Sequence, residues 1–225
     1  MALKMVDRQS LRERVLQELR EGILSGRLPV GTRLLEVKIS NELGVSRGTV
    51  REAFRHLQEE GLLTSESRGS VYVRTLSPKE VREIYAVRAA LEGLAAHNVA
   101  SRADREKAVE TLRLALQGFE ATPAPSFSEL LKVDLDFHQL LCTLSENATL
   151  LDTWQRLSGL IRASLISAGP HLVMPLQTVS HHTEMVDAIA QGDGPAARLV
   201  LETYLEESAS VLVSAMEKME KQVIA

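Results

Sequence analysis

Residues 43–55, with the sequence LGVSRGTVREAFR, constrain the fold of this chain more than any other stretch. Gly44 suits a tight turn between two helices, because glycine tolerates the backbone angles of such a turn. Ser46 is a good N-cap, since its hydroxyl can accept a hydrogen bond from a backbone amide at the start of the second helix. From Val50 onward, apolar residues recur at helical spacing and predict an inward face. The stretch therefore predicts a helix-turn-helix.

Three arginines lie on the second helix of this predicted motif. Arg47, Arg51 and Arg55 are four residues apart, so they share one solvent-facing stripe. A cationic stripe on the second helix suits insertion into the DNA major groove. The alternative is a solvated helix beside a turn, because helix-turn-helix geometry also occurs outside DNA-binding proteins.

The flanking segments favour a winged helix. Apolar residues four apart predict a first helix over residues 15–23. Two short β-type runs, at 62–64 and 71–73, enclose a hairpin tip at Arg68 and Gly69. A wing of this kind places a cation within reach of a phosphate or the minor groove.

Charge is distributed unevenly along the chain. Residues 1–74 hold 13 Lys and Arg against 10 Asp and Glu, a net charge of +3, whereas residues 75–225 hold 13 against 20, a net charge of −7. Phosphate contact requires the positive charge to lie on the DNA-binding part. We therefore expect a DNA-binding domain at 1–74, a linker at 75–78 and a second domain at 79–225.

The cysteine count and the apolar segments indicate the cellular compartment of the protein. A single cysteine, Cys142, excludes an internal disulfide and suits a reducing cytoplasm. The N-terminus lacks the pattern of a secretory signal. Glycine and proline interrupt the uncharged stretch at 163–183, which therefore does not predict a membrane span. We expect a cytoplasmic protein with no membrane partner.

The sequence pattern of the second domain predicts helices only. Apolar periodicity and helix breakers predict six of them, at residues 78–101, 103–121, 126–145, 149–168, 176–191 and 194–221. The predicted fold is mainly α: an N-terminal winged helix-turn-helix followed by an all-α six-helix bundle.

Polar residues lie on the apolar faces of four of these helices. Arg88 falls on the first, Asp134 and His138 lie four apart on the third, and His182 and Tyr204 lie on the fifth and last. Inward polar groups cost several kcal/mol unless they are partnered. Together they suggest one polar pocket inside the bundle, where bundles commonly bind ligands. One carboxylate and two imidazoles are also the chemistry of a divalent metal site.

Each of these residues also has a structural interpretation. An inward histidine is often a hydrogen-bonded core residue. Arg88 could pair with Glu92 or Asp134 as a structural ion pair, and Tyr204 could be a large core residue.

Residues 15–73 resemble the DNA-binding domain of the GntR family of bacterial transcriptional regulators. The resemblance is carried by ILSGRLP at 23–29, LGVSR at 43–47, VREA at 50–53 and the segment at 57–62. It implies a DNA-facing set made up of Ser46, Arg47, Thr49 and Arg51, with Arg68 and Gly69 at the wing.

The chain departs from this family before its second helix. Leu35-Glu36-Val37 stands where the family usually has Ser-Glu-Arg. Leu35 cannot cap the helix as serine does, a loss of about 1 kcal/mol. Val37 cannot make the DNA contact of the family's arginine. Lys38, the next residue, could take over that contact, but its side chain leaves the helix in a different direction. Gly48-Thr49 replaces the usual Thr-Pro, so we expect a different operator preference.

Residues 76–206 resemble the FCD effector domain of the FadR-type subfamily. The resemblance is carried by EIY with Arg88 and Leu91-Glu92, Asp134 with Phe137-His138, Asn147, His182 with Ala188-Ile189, and Gly192-Asp193. Many such domains hold zinc or nickel through one aspartate and three histidines. The resemblance implies Asp134, His138 and His182 as ligands, with Tyr204 in place of the third histidine. It also implies a small carboxylate effector, bound by Arg88 with Asn147 and Tyr204. The subfamily also contains metal-free members, and the alternative is that this pocket binds its effector directly.

The sequence thus predicts a ligand-responsive transcriptional regulator and not an enzyme. We expect a homodimer that binds a palindromic double-stranded DNA operator and is modulated by a small organic acid. One rival is a metal-dependent enzyme using the helical domain, but the chain has no His-Glu-x-x-His and no phosphate loop. The other is an architectural DNA binder without an effector, against which the inward polar residues argue.

Overall fold

Helices form most of the chain, as predicted. The structure is a computed structural model and describes residues 11–66, 69–120, 126–168 and 175–224. These ranges contain nine helices and one small sheet. The chain divides into two compact units, Met1–Thr75 and Leu76–Ala225. No helix in the described ranges combines the length and apolarity that crossing a membrane requires.

The first unit is a winged helix. Its elements in chain order are α1 (Leu11–Leu24), β1 (Arg33–Leu34), α2 (Glu36–Leu43), α3 (Arg47–Glu59), β2 (Leu63–Ser65) and β3 (Val71–Val73). The predicted inner residues of α1 and α3 are buried and form its core, among them Val15, Ile23, Phe54 and Leu57.

The sheet has one strand more than the two that the sequence predicts. The strand order is β1-β3-β2, and both pairings are antiparallel, with Leu34 opposite Val71 and Thr64 opposite Tyr72. The additional strand, β1, is only two residues long. A strand of that length carries no alternating pattern that a sequence could reveal.

The turn before α3 has the predicted chemistry. Gly44 ends α2 in the left-handed region, with φ 65°. The Ser46 hydroxyl accepts a hydrogen bond from the Thr49 amide at 3.1 Å, which caps α3. Leu35 precedes α2 without a side-chain cap, as its departure from the family pattern predicts.

The second unit is a six-helix bundle, and its helices begin and end within three residues of the predicted bounds. They are α4 (Pro78–Ala100), α5 (Arg105–Glu120), α6 (Phe127–Leu144), α7 (Ala148–Ala168), α8 (Pro175–Ala190) and α9 (Gly194–Ile224). Capping boxes begin α4, at Ser77 and Glu80, and α6, at Ser126 and Glu129. Each box satisfies amides that the first helical turn leaves unpaired.

Helix α4 lies at the centre of this unit, where it packs against α6, α7, α8 and α9. Its buried face includes Val81, Ile84 and Ala95, which their helical spacing in the sequence predicts as inner positions.

On α9, the apolar positions Ala197, Val200 and Leu201 predict an inner face that includes Val211. This is wrong at one position, because Val211 is exposed and Leu212 is buried instead. At about 100° per residue, Leu212 points within about 20° of the buried Leu201, whereas Val211 points about 80° away from it.

Candidate functional site

The first unit presents the predicted arginine stripe to solvent. Arg47, Arg51 and Arg55 are all exposed on α3. Glu36 accepts two hydrogen bonds from Arg51, at 2.9 Å from Nε and 2.8 Å from Nη2. The hydrogen bond from Arg51 holds the pKa of Glu36 below its ordinary value. Within the described part of the chain, the Arg47 guanidinium makes no ion pair or hydrogen bond, so it is the arginine of the stripe most free to meet a phosphate or a base.

The other predicted DNA-facing residues belong to the start of α3, to α2 and to the wing. Thr49 Oγ1 lies 2.9 Å from the Ser46 hydroxyl. Lys38 is exposed on α2, with its ammonium 3.9 Å from Glu42. At the wing, Gly69 has φ 76°, and the predicted contact at Arg68 lies outside the described residues.

One further cation, Arg33, lies beside the wing at a position that the sequence pattern does not indicate. Arg33 is exposed on β1, and its Nη2 donates a hydrogen bond to the Ser70 hydroxyl at 2.8 Å, beside the wing tip. Only the pairing of β1 with β3 brings Arg33 to the wing. Because this pairing is not visible in the sequence, no local signal could have identified Arg33.

In the second unit, the inward polar residues come together in one buried cluster. Arg88 and Glu92 come from α4, Asp134 and His138 from α6, and His182 from α8. The side chains of Glu92, His138 and His182 are fully buried, and that of Arg88 is 3% exposed. The structure therefore brings these inward polar side chains into contact with one another inside the bundle, and a ligand pocket among them stays a prediction.

Three donor atoms in this cluster form a triangle with the dimensions of a metal site. His138 Nε2 lies 3.0 Å from His182 Nε2, and Asp134 Oδ1 lies 3.7 Å from the first nitrogen and 3.5 Å from the second. A tetrahedral zinc ion with ligands at about 2.0–2.2 Å holds neighbouring ligand atoms about 3.3–3.6 Å apart. The edges of the triangle, from 3.0 to 3.7 Å, bracket this range, so the three atoms lie close to the positions of one face of such a tetrahedron. The donor set suits zinc or nickel.

The fourth family position does not supply a good ligand. The Tyr204 ring lies 5.9 Å from the His182 ring and is nearly parallel to the His138 ring, at 6.3 Å between centroids. Burial raises the pKa of Tyr204 well above its ordinary value, so its hydroxyl stays protonated. A neutral phenol can donate a hydrogen bond, but it is a weak metal ligand.

Arg88 is only partly satisfied by the protein. Its Nε donates to Glu92 Oε1 at 2.8 Å, and its Nη1 lies 3.4 Å from the Tyr85 hydroxyl. Its Nη2 is buried without a hydrogen-bond partner in the described residues, 3.9 Å from Asp134 Oδ2. Both interpretations of Arg88 therefore have support: it forms a structural ion pair and keeps a donor for a ligand.

Glu92 makes more contacts in the cluster than its predicted pairing with Arg88. Its Oε1 also accepts a hydrogen bond from Trp154 Nε1 at 2.6 Å, and its Oε2 lies 2.7 Å from His138 Nδ1. Burial alone would raise the pKa of Glu92, but Arg88 and His138 lower it to about 2. The 2.7 Å separation is within hydrogen-bonding distance, although neither Glu92 Oε2 nor His138 Nδ1 has a well-aligned hydrogen bond within the described residues.

Asn147 lies at the turn between α6 and α7. Its Oδ1 accepts a hydrogen bond from the Leu150 amide at 3.1 Å and caps α7. No described contact joins Asn147 to the buried cluster, so its role as an effector ligand stays a prediction. Cys142 is buried near the cluster, and burial raises the pKa of its thiol, as suits a core residue.

Comparison with known proteins adds to this geometry. The profile of bacterial regulatory proteins of the gntR family matches residues 11–73, and that of the FCD domain matches residues 83–207. The "Probable D-xylose utilization operon transcriptional repressor" of Paenarthrobacter nicotinovorans is 33% identical over 80% of this chain and 78% of its own length. The HTH-type transcriptional repressor RspR of Escherichia coli K12 is 26% identical over 88% of this chain and 87% of its own.

A solved structure is similar over nearly the whole chain. It is that of a GntR transcriptional regulator from Rhodococcus sp. RHA1, with a TM-score of 0.69 and 27% sequence identity, covering 90% of this chain and 97% of that one. These relatives are named as regulators of transcription and not as enzymes.

Proposed function

The chain belongs to the GntR family of bacterial regulatory proteins and carries an FCD domain, and we propose that it is a homodimeric regulator whose operator binding responds to a small carboxylate held at a metal ion. The family makes it a DNA-binding transcriptional regulator and not an enzyme. The palindromic operator, the dimer, the metal and the effector are the parts that we infer. Residues 1–74 bind DNA, 75–78 link the domains, and 79–225 bind the effector and form the dimer.

In this proposal α3 lies in the major groove. The exposed stripe of Arg47 and Arg51 supports it, together with the net charge of +3 on residues 1–74. Ser46 and Thr49 lie at the start of α3, the part of a recognition helix that reaches base edges. Lys38, with Arg68 and Gly69 of the wing, contacts the flanking phosphates.

The triangle of Asp134 Oδ1, His138 Nε2 and His182 Nε2 is the observation that carries the effector half of the proposal. These three residues hold a zinc or nickel ion and leave at least one coordination position open. A bound ion would supply a Lewis-acidic position for a carboxylate oxygen. Arg88 Nη2, buried and without a hydrogen-bond partner in the described residues, donates to the same carboxylate, and the neutral Tyr204 hydroxyl donates from α9.

Charge supports a monoanionic effector. With both imidazoles neutral, as metal ligation requires, Arg88, Glu92 and Asp134 sum to a charge of −1. A divalent ion brings the buried cluster to +1, and one carboxylate brings it to zero. An unneutralised buried charge is costly, so metal and effector should each strengthen binding of the other.

The DNA-binding half is tested with the variant R47A/R51A. Each arginine is expected to contribute about 1–3 kcal/mol, so affinity for a duplex selected by the wild type should fall more than tenfold. K132A/R156A is the matched control, since it removes two exposed cations from the helical unit. Equal affinity of R47A/R51A and the control would show that α3 does not bind DNA as proposed.

A further inference from the structure

We infer that Glu92 is a positioning residue for the metal site: its buried carboxylate orients the His138 imidazole so that Nε2 carries the lone pair toward the ion. The inference rests on the proposed function, because it requires Asp134, His138 and His182 to be metal ligands. Glu92 itself contributes no ligand atom to the triangle.

The carboxylate of Glu92 is held in place by donors on two helices. Its Oε1 accepts from Arg88 Nε on α4 at 2.8 Å and from Trp154 Nε1 on α7 at 2.6 Å. The side chain is fully buried. Two strong donors on one oxygen therefore fix the direction in which the second oxygen points.

Glu92 Oε2 faces His138 Nδ1, the ring nitrogen on the side away from the metal position. Glu92 Oε2 lies 2.7 Å from His138 Nδ1, and both side chains are fully buried. An ionised carboxylate can only accept, and two lone pairs at this distance would repel, so Nδ1 must carry the proton. In a neutral imidazole with Nδ1 protonated, Nε2 is the acceptor and the metal-binding atom.

The other end of the same ring points into the triangle. His138 Nε2 is 3.0 Å from His182 Nε2 and 3.7 Å from Asp134 Oδ1. One ring thus joins the Arg88–Glu92–Trp154 network to the metal position. Carboxylates that orient a ligand histidine in this way typically change metal affinity about 10–100-fold when they are mutated.

Two substitutions separate orientation from charge. E92Q keeps the shape of the side chain and removes its charge, whereas E92D keeps the charge and shortens the reach to His138 by one methylene. The matched controls are E202Q and E202D, because Glu202 accepts from Arg198 four residues earlier at 2.7 Å and lies in no metal cluster among the described residues. The metal-stripped proteins are titrated with Zn²⁺ against a chromophoric chelator, and the absorption spectra of their Co²⁺ forms are compared.

We expect both Glu92 variants to bind Zn²⁺ about 10–100-fold more weakly than the wild type and to change the Co²⁺ spectrum, while both Glu202 variants match the wild type. An E92D protein with wild-type affinity and spectrum would overturn the inference, because charge alone would then explain any loss in E92Q. A wild type that binds no Zn²⁺ would overturn the proposed metal site itself, which is a separate result.

A measurement on the wild type keeps the inference testable if the Glu92 variants do not fold. The ring ¹⁵N shifts of His138 in the metal-stripped protein distinguish a protonated Nδ1 from a protonated Nε2. Protonation at Nδ1 is the expected result. A neutral ring with its proton on Nε2 would contradict the role of Glu92.

Discussion

The buried pair of Arg88 and Glu92 gives the sharpest prediction for stability. Arg88 Nε lies 2.8 Å from Glu92 Oε1, and neither side chain is more than 3% exposed. The surroundings lower the pKa of Glu92 from an ordinary value of 4.5 to about 2. At about 1.4 kcal/mol per pKa unit, that shift corresponds to about 3 kcal/mol of folding free energy. Removing one partner of a buried pair typically costs about 3–5 kcal/mol, which agrees.

The variant R88M removes the cation and keeps most of the side-chain volume. We expect it to lower the free energy of unfolding at pH 7 by about 3–5 kcal/mol, because the Glu92 carboxylate is left buried without its cation. E92Q should cost a similar amount, because Arg88 then loses its closest carboxylate and keeps only Asp134, at 3.9 Å. In R88M/E92Q neither charge remains, so the total loss should fall short of the sum of the two single losses by about 2–3 kcal/mol.

The pH dependence has a definite sign. In the wild type the folded pKa of Glu92 lies below its unfolded value, so this stability is present above about pH 4.5 and is lost as the pH falls toward 2. In R88M burial dominates and raises the folded pKa above the unfolded value, so the folded variant takes up a proton as the pH falls. The difference in unfolding free energy between the wild type and R88M should therefore be smaller at pH 5 than at pH 7.

Urea unfolding of chelator-treated protein measures these losses, with fluorescence from Trp154, the single tryptophan of the chain. Because Trp154 donates to Glu92, its emission reports directly on the perturbed network. A loss below 1 kcal/mol in R88M, or strictly additive losses in the double variant, would refute the reasoning.

Three further predictions concern separate parts of the molecule. R47A should weaken operator binding by about 1–3 kcal/mol and reduce the slope of log affinity against log salt by about 1, measured by fluorescence anisotropy; an unchanged slope would mean that Arg47 contacts no phosphate. S77A should lower the free energy of unfolding of the helical unit in urea by about 1 kcal/mol, because it removes the capping box at the start of α4. The control S214A, on the exposed side of α9, should leave this free energy unchanged. Equal losses in the two variants would argue against the cap. Y204H should raise zinc affinity in a chelator competition by adding a third imidazole as the fourth ligand, and an unchanged affinity would mean that this position does not face the ion.

Local chemistry explains why so much of the fold could be predicted. The start of α3 follows from Ser46 and Gly44, and the start of α4 follows from Ser77 and Pro78, because caps and breakers act within a few residues. The pairing of Asp134 with His138 on one face follows from their four-residue spacing alone.

The remaining features depend on contacts between distant parts of the chain. Strand β1 exists only through its pairing with β3, and Arg33 reaches the wing for the same reason. Glu92 could be predicted as a partner of Arg88 four residues away, but its contact with Trp154, 62 residues later, has no local signal. Its contact with His138 is likewise set by the packing of α4 against α6.

The central claim is that the helical unit holds a small carboxylate at a metal ion bound by Asp134, His138 and His182. Its most direct test is thermal unfolding of the full chain against a panel of small carboxylates, each with and without a chelator. We predict that at least one monocarboxylate raises the melting temperature, and that the chelator abolishes the shift. A shift that survives the chelator, or no shift with any acid, would contradict the claim.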